Sequence, residues 1–311
     1  MAKSMKRRCN SHDYSSRCIY MITISKLPYI APFSEIVNIS HDTDIKPKVN
    51  LSLLGSLIFR QLRQLPVDFP EARILQYAIM PDHVHFVIFI TCATDYKLGK
   101  LIGRFTGNCT RANNLNPIFE EGFNDRIVRK KGQLNTLVKY VKNNPRRLLI
   151  RRRHPELFTS RHTVFLNGKP LLTYGNILLL REDRNPMMEP VRISSKFTKE
   201  ELEARKAVWN EVIRECGVLV SPFISSAEKE IRDAAIANGA SLILITNITF
   251  GERYKPSGFL FELCSQGRLL LISVNEQGNT TQSITRAEAL RMNDLADSIC
   301  NRLPEKLIAR I

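Results

Sequence analysis

The stretch Tyr77-Ala-Ile-Met-Pro-Asp-His-Val-His-Phe-Val-Ile-Phe-Ile90 decides how the first half of the chain is read. Pro81 has no N–H to give a ladder and a fixed φ, so Met80-Pro81-Asp82 reads as a turn feeding a strand. From His83 onward the residues are β-branched and aromatic, which is strand composition. Side chains alternate faces along a strand, so His83 and His85 share one face while Val84 and Phe86 take the other. Two imidazoles thus converge on one spot. Taken alone, the pair leaves two readings open: ordinary hydrogen-bonded histidines, or two ligands of a metal whose third ligand comes from elsewhere.

Working outward, Cys18 to Ile24 has strand composition and Glu35 to Ile39 is a possible short strand. Leu51, Leu54, Ile58, Leu62 and Leu65 repeat at helical spacing ahead of Pro66, and Ala72 to Met80 forms a strand leading into the histidine run. Leu98 to Asn113 reads as a helix and Gly122 to Val128 as a strand, followed by the cationic turn Arg129-Lys-Lys-Gly132. Leu134, Leu137, Val138 and Val141 then form the apolar stripe of a helix from Gln133 to Asn144. It is expected to end there, because the residue before Pro145 is biased away from helical backbone. The basic run Pro145 to His154 follows. Strands and helices mix as α+β around one antiparallel sheet. Tyr140 and Asn144, four apart, lie one above the other with Gln133 on the same flank; singly, one reads as a packing tyrosine and the other as a helix cap.

The 311 residues exceed one typical core, so two domains are expected. The net charge of +16 is concentrated: residues 1–160 hold 26 basic against 12 acidic residues, and 161–311 hold 20 against 18. Such asymmetry points to a nucleic-acid-binding first half, a phosphate backbone rewarding clustered cations by counterion release; the alternative is a basic surface with no anionic partner. Residues 1–16, with Lys3, Lys6, Arg7 and Arg8 and no apolar periodicity, read as a flexible basic arm. Seven scattered cysteines without a Cys-x-x-Cys pair argue against a disulfide framework or zinc knuckle and for a reducing compartment. No apolar run is long enough to span a bilayer, and the start lacks a signal-peptide core. A cytoplasmic protein without a membrane partner is expected.

Together, His83-Val84-His85 behind Met80-Pro81-Asp82, Gly122-x-x-Asp125-Arg126, and Tyr140-Val-Lys-Asn-Asn144-Pro145 resemble the single-tyrosine HUH transposases. The pattern is most similar to the REP-associated tyrosine transposases, relatives of the insertion-sequence-200-like enzymes. The resemblance covers roughly residues 17–150. It implies an α+β HUH domain with a ferredoxin- or RRM-like antiparallel sheet over residues 17–155. It also implies Tyr140 as nucleophile, with His83, His85 and Asn144 holding a divalent metal, magnesium or manganese. Relatives often carry Gln at the position of Asn144 and Asn at that of Asp82. The implied activity is cleavage and rejoining of single-stranded DNA, often beside a hairpin, through a 5′-phosphotyrosine, by a homodimer. Arg104, Arg111, Arg126, Lys130, Lys131, Arg146, Arg147 and Arg151 to Arg153 are the candidate backbone contacts. A replication-initiator type of HUH endonuclease and a non-catalytic DNA-binding descendant are the alternatives.

Behind a linker at 156–197 with short strands (Val164 to Leu166, Ile177 to Leu180), Thr198-Lys-Glu-Glu201 is a capping box opening a helix to Glu215. Strands Gly217 to Pro222, Ser241 to Ile248 and Arg268 to Val274 then alternate with helices Ser226 to Asn238, Phe259 to Gln266 and Thr285 to Leu303. This predicts a small Rossmann-like α/β domain with a parallel sheet at 198–311. Ser221-Pro222-Phe223 and the loop Gly251 to Gly258 fall where such sheets bind ligands, but no glycine-rich or Lys phosphate motif marks a nucleotide site. An accessory or dimerisation domain is the simplest reading.

Overall fold

The alternation around His83 organises a four-stranded sheet in the computed structural model, which describes residues 9–40, 45–166, 169–181, 183–185, 187–194, 196–251, 254–275, 284–301 and 307–309. Lys3, Lys6, Arg7 and Arg8 of the basic arm lie outside those residues, as do Glu252 and Arg253 of the loop at 251–258 and Leu303 at the end of the last expected helix. The chain divides into two units, residues 1–150 and 151–311.

In the first unit, β1 (Cys18–Ser25), β4 (Ala72–Ile79), β5 (His83–Ile90) and β6 (Asn124–Ile127) pair antiparallel in the order β4-β5-β1-β6. With α1 (Leu53–Asp68) and α2 (Leu98–Ala112) as crossovers, these strands follow a β-α-β-β-α-β path. Tyr20, Ile22, Ile24, Val84, Phe86 and Ile88 point to one face, where Ile58, Leu62 and Leu65 of α1 and Leu101, Ile102 and Phe105 of α2 complete a core. The other face is covered by α3 (Gln133–Arg153), whose Leu137 and Val141 pack on Ala78, Met80 and Val87. An irregularity in β4 between Ile74 and Gln76 inserts one extra residue: Ile74 pairs with Ile88, but Gln76 pairs with Val87 and Ala78 with His85. Beside this sheet, β2 (Ser34–Asn38) and β3 (Pro47–Leu51) form a separate hairpin.

Three expectations change here. Residues 9–16 belong to the fold rather than to a free arm: Tyr14 packs on the core and its hydroxyl donates to Asp125 at 2.9 Å, while the ring of His12 bonds the Tyr20 hydroxyl at 2.8 Å. Helix α1 runs on through Pro66, closed by Phe69 N–H donating to the Leu65 carbonyl. Helix α3 does not end at Asn144 but carries Pro145 inside it.

The second unit holds a seven-stranded mixed sheet, ordered β13-β7-β8-β12-β11-β10-β9. Its parallel part is β9 (Met188–Pro190), β10 (Val218–Ser221), β11 (Ser241–Thr246) and β12 (Leu269–Ser273). Next to β12 run β8 (Lys169–Gly175), β7 (Ser160–Leu166) and β13 (Leu307–Ala309), all antiparallel to their neighbours. The segment expected to be a linker therefore supplies β7, β8 and β9, and the sheet is mixed rather than purely parallel. Ile177–Leu180, read as a strand, is a 3-10 turn capped by the Asn176 side chain, which accepts from Leu178 N–H. Helices α4 (Lys199–Arg214), α5 (Ser226–Ala237) and α6 (Phe259–Ser265) pack on one face around Trp209, Ala235 and Leu263. On the other lies α7 (Arg286–Cys300), through Met292, Leu295 and Ile299. Capping boxes open α4, α5 and α7 at Thr198, Ser225 and Thr285. Among the described residues, no helix is long and apolar enough to cross a membrane.

Candidate active site

Strand β5 delivers both histidines to the face covered by α3. Their rings stand 4.3 Å apart between centroids, inclined by 75°. Each Nδ1 has a protein partner at 2.7 Å: the Asp82 carboxylate for His83, and the Thr23 hydroxyl for His85. Thr23 reaches His85 because β1 and β5 pair in a register that sets residue 23 opposite residue 85. On the other side, β4 sets the small Ala78 beside His85. Nε2 of His83 is buried and has no hydrogen-bond partner among the described residues.

The apolar stripe of α3 turns Tyr140 toward this pair, its ring 5.9 Å from that of His85 at an interplanar angle of 68°. Asn144 follows one turn later on the same helix face, is 5% exposed, and its Nδ2 is buried without a partner among the described residues. Because α3 continues past Pro145, Asn144 sits within the helix instead of capping it. The missing N–H of Pro145 removes one bond, to the Val141 carbonyl, without ending the helix. Gln133 works at the other end, its side-chain oxygen accepting from Arg129 N–H at 2.8 Å and Lys130 N–H at 3.2 Å, and so fixes the cationic turn.

The candidate cations separate into groups. Arg126 pairs with Met21 on β1, whose side chain packs beneath α3, so Arg126 shares the histidine face and is exposed. Lys130 and Lys131 are exposed in the turn entering α3. Arg104 and Arg111 are exposed on α2, which packs on the opposite face of the sheet; the structure does not bring them to the histidines. Arg111 is also hydrogen-bonded to Asn108. Arg147, expected as a surface contact, is 7% exposed and its guanidinium lies 5.4 Å from the Tyr140 ring centroid. Arg146 is half-buried beside it in sequence.

Among the described residues no third His, Cys, Asp or Glu joins the pair. The remaining polar side chain that α3 contributes is the amide of Asn144, which presents nitrogen or oxygen depending on how it is turned. Two imidazoles and an amide, with buried polar atoms lacking partners on His83 and Asn144, fit a divalent cation. Thr23 is the residue that sequence reasoning missed. Its signal lies in cross-strand register, which no local spacing encodes.

No family model matches the chain. It is 23% identical over 162 residues to an uncharacterized protein of Haemophilus influenzae, covering 44% of this chain and 86% of that one. It is also similar to the solved structure of the REP-associated tyrosine transposase bound to a REP hairpin, with 14% identity and a TM-score of 0.36, covering 45% of this chain and 74% of that chain. Likenesses of this size do not place the chain in a family.

Proposed function

We propose that the first unit is a DNA strand transferase of the transposase type, cleaving and rejoining single-stranded or hairpin DNA through Tyr140. One observation carries this: a tyrosine ring stands 5.9 Å from one of two converging histidines, with a buried amide one turn behind it on the same helix. A packing tyrosine needs neither.

In this reading His83, His85 and Asn144 hold a divalent cation, magnesium or manganese, which when bound supplies positive charge to the scissile phosphate. The donors are neutral and so leave that charge undiminished. Manganese suits imidazole better than magnesium, which prefers oxygen. Tyr140 is the nucleophile: its oxygen forms a bond to phosphorus as the bond to the 3′-oxygen breaks. The proton given up by Tyr140 balances the one taken by the departing 3′-oxygen, leaving a 5′-phosphotyrosine and a free 3′-hydroxyl. Rejoining is the reverse step with a new 3′-hydroxyl, and needs no nucleotide cofactor. Arg126, Lys130 and Lys131 carry the strand past the site by contacts to phosphate.

The test is adduct formation on single-stranded oligonucleotides with manganese. The wild-type chain is expected to form a covalent protein–DNA species of which Tyr140→Phe forms none. An adduct that survives Tyr140→Phe overturns the assignment. Binding without any adduct identifies a non-catalytic DNA-binding descendant. A homodimer, with Tyr140 acting on its own or its partner's histidines, belongs to the same proposal; mixing Tyr140→Phe with a His83→Ala, His85→Ala variant restores activity only if the tyrosine acts in trans.

A further inference from the structure

We infer that Asp82 is a positioning residue that selects Nε2 of His83 as the cation-binding atom and adds negative charge behind it; this rests on the metal reading of the histidine pair. The Asp82 side chain is 73% exposed, and one of its carboxylate oxygens stands 2.7 Å from Nδ1 of His83. A carboxylate oxygen accepts, so a neutral His83 bonded to it carries hydrogen on Nδ1 and its lone pair on Nε2. That Nε2 is the ring atom found buried without a partner. The turn residue and the orphaned atom are thus at opposite ends of one ring.

The second histidine is held differently. Thr23 sits 2.7 Å from Nδ1 of His85, and a hydroxyl both donates and accepts, so it fixes the ring's place without by itself choosing the tautomer. The two halves of the site are unequal: Asp82 dictates the state of His83, while Thr23 supports His85 in either. Asp82 also contributes charge. His83, His85 and Asn144 are neutral donors, and a carboxylate hydrogen-bonded to a ligating imidazole makes it a stronger electron donor.

The experiment compares Asp82→Ala, Asp82→Asn and Thr23→Val in the full chain, using manganese alone as probe. In the metal-free protein, long-range proton–nitrogen NMR reads the tautomer of His83. We expect the Nδ1–H form in the wild type and in Asp82→Asn, which keeps an acceptor, and a mixture in Asp82→Ala. Manganese affinity, followed by the electron paramagnetic resonance of the free ion, is expected to fall about 10- to 100-fold in Asp82→Ala. In Asp82→Asn, where only charge is lost, the fall is smaller. Thr23→Val weakens binding while leaving the His83 tautomer untouched. An unchanged tautomer, or unchanged manganese affinity in Asp82→Ala, overturns the role of Asp82. If the wild type binds manganese no better than His83→Ala, His85→Ala, the metal reading itself fails, an outcome the tautomer measurement keeps separate.

Discussion

Burial pushes the thiols of Cys109 and Cys264 up from 9.0 to about 12. Below the lower value both are protonated whether the chain is folded or not, and their contribution to stability is fully present. Between about 9 and 12 the unfolded chain releases these protons while the folded chain keeps them, so stability falls as pH rises through that window. Urea unfolding at increasing alkaline pH is expected to show this decline, and Cys109→Ala to flatten its share for the first unit. The slope with pH is the readout, because the cavity left by the substitution lowers stability at every pH. Those two thiols have no part in the site, whereas the four side chains proposed to form it lie on two elements whose patterns are local. That His83 and His85 share a face was legible from strand alternation, and that Tyr140 and Asn144 share a helix flank from helical spacing; the roles proposed for them came from the family resemblance alone. Thr23 was not legible, because nothing near residue 23 announces that it will face residue 85.

At the scale of elements, apolar periodicity was the dependable guide and proline the misleading one. The stripe Leu134, Leu137, Val138, Val141 placed α3 correctly, yet the rule that a helix stops before proline cut it nine residues short of Arg153. A lost hydrogen bond is affordable when the turns on either side are packed, as Val141 and Ile150 are. Strands β7, β8 and β9 were under-read for the opposite reason: what makes them strands is pairing with partners distant in sequence, such as β12 for β8. The capping boxes, by contrast, are wholly local. The one at Ser225 is stronger than its sequence suggests, because the buried Glu228 accepts from three backbone N–H groups, those of Ile193, Ile224 and Ser225, at 2.9–3.1 Å. Glu228→Ala strands these donors and is expected to destabilise the second unit by about 2–4 kcal/mol, with Glu228→Gln milder. Denaturant midpoints check both; a cost below that of a simple N-cap loss, about 1 kcal/mol, contradicts it.

For the whole molecule, charge follows the division of the fold: residues 1–150 hold 23 basic against 11 acidic residues, and 151–311 hold 23 against 19. The first unit carries the cationic excess, and its sheet sorts the cations by face. Single-strand binding is expected to weaken with salt, the slope of log K against log salt changing by about 0.7 for each phosphate that a side chain no longer neutralises. Replacing Arg126, Lys130 and Lys131 together (each by Gln) should therefore reduce the slope by about 2, while Arg104→Gln with Arg111→Gln, on the far layer, leaves it unchanged. Fluorescence anisotropy across a salt series decides this, and an equal effect from the α2 pair contradicts the division. The extra residue in β4 has a further consequence. Were residue 75 paired in the ladder, so that every residue after Ile74 found a partner in turn, Tyr77 would stand opposite His85 where Ala78 now does. Instead Tyr77 pairs with Phe86 and lays its ring 5.4 Å from Phe59 on α1. The room in front of the histidines is thus set by strand register as much as by residue identity. Deleting Leu75 would restore one-to-one pairing with Ala78 still opposite His85, whereas a slip of β4 that drew the extra residue into the ladder would bring a phenol ring into that space.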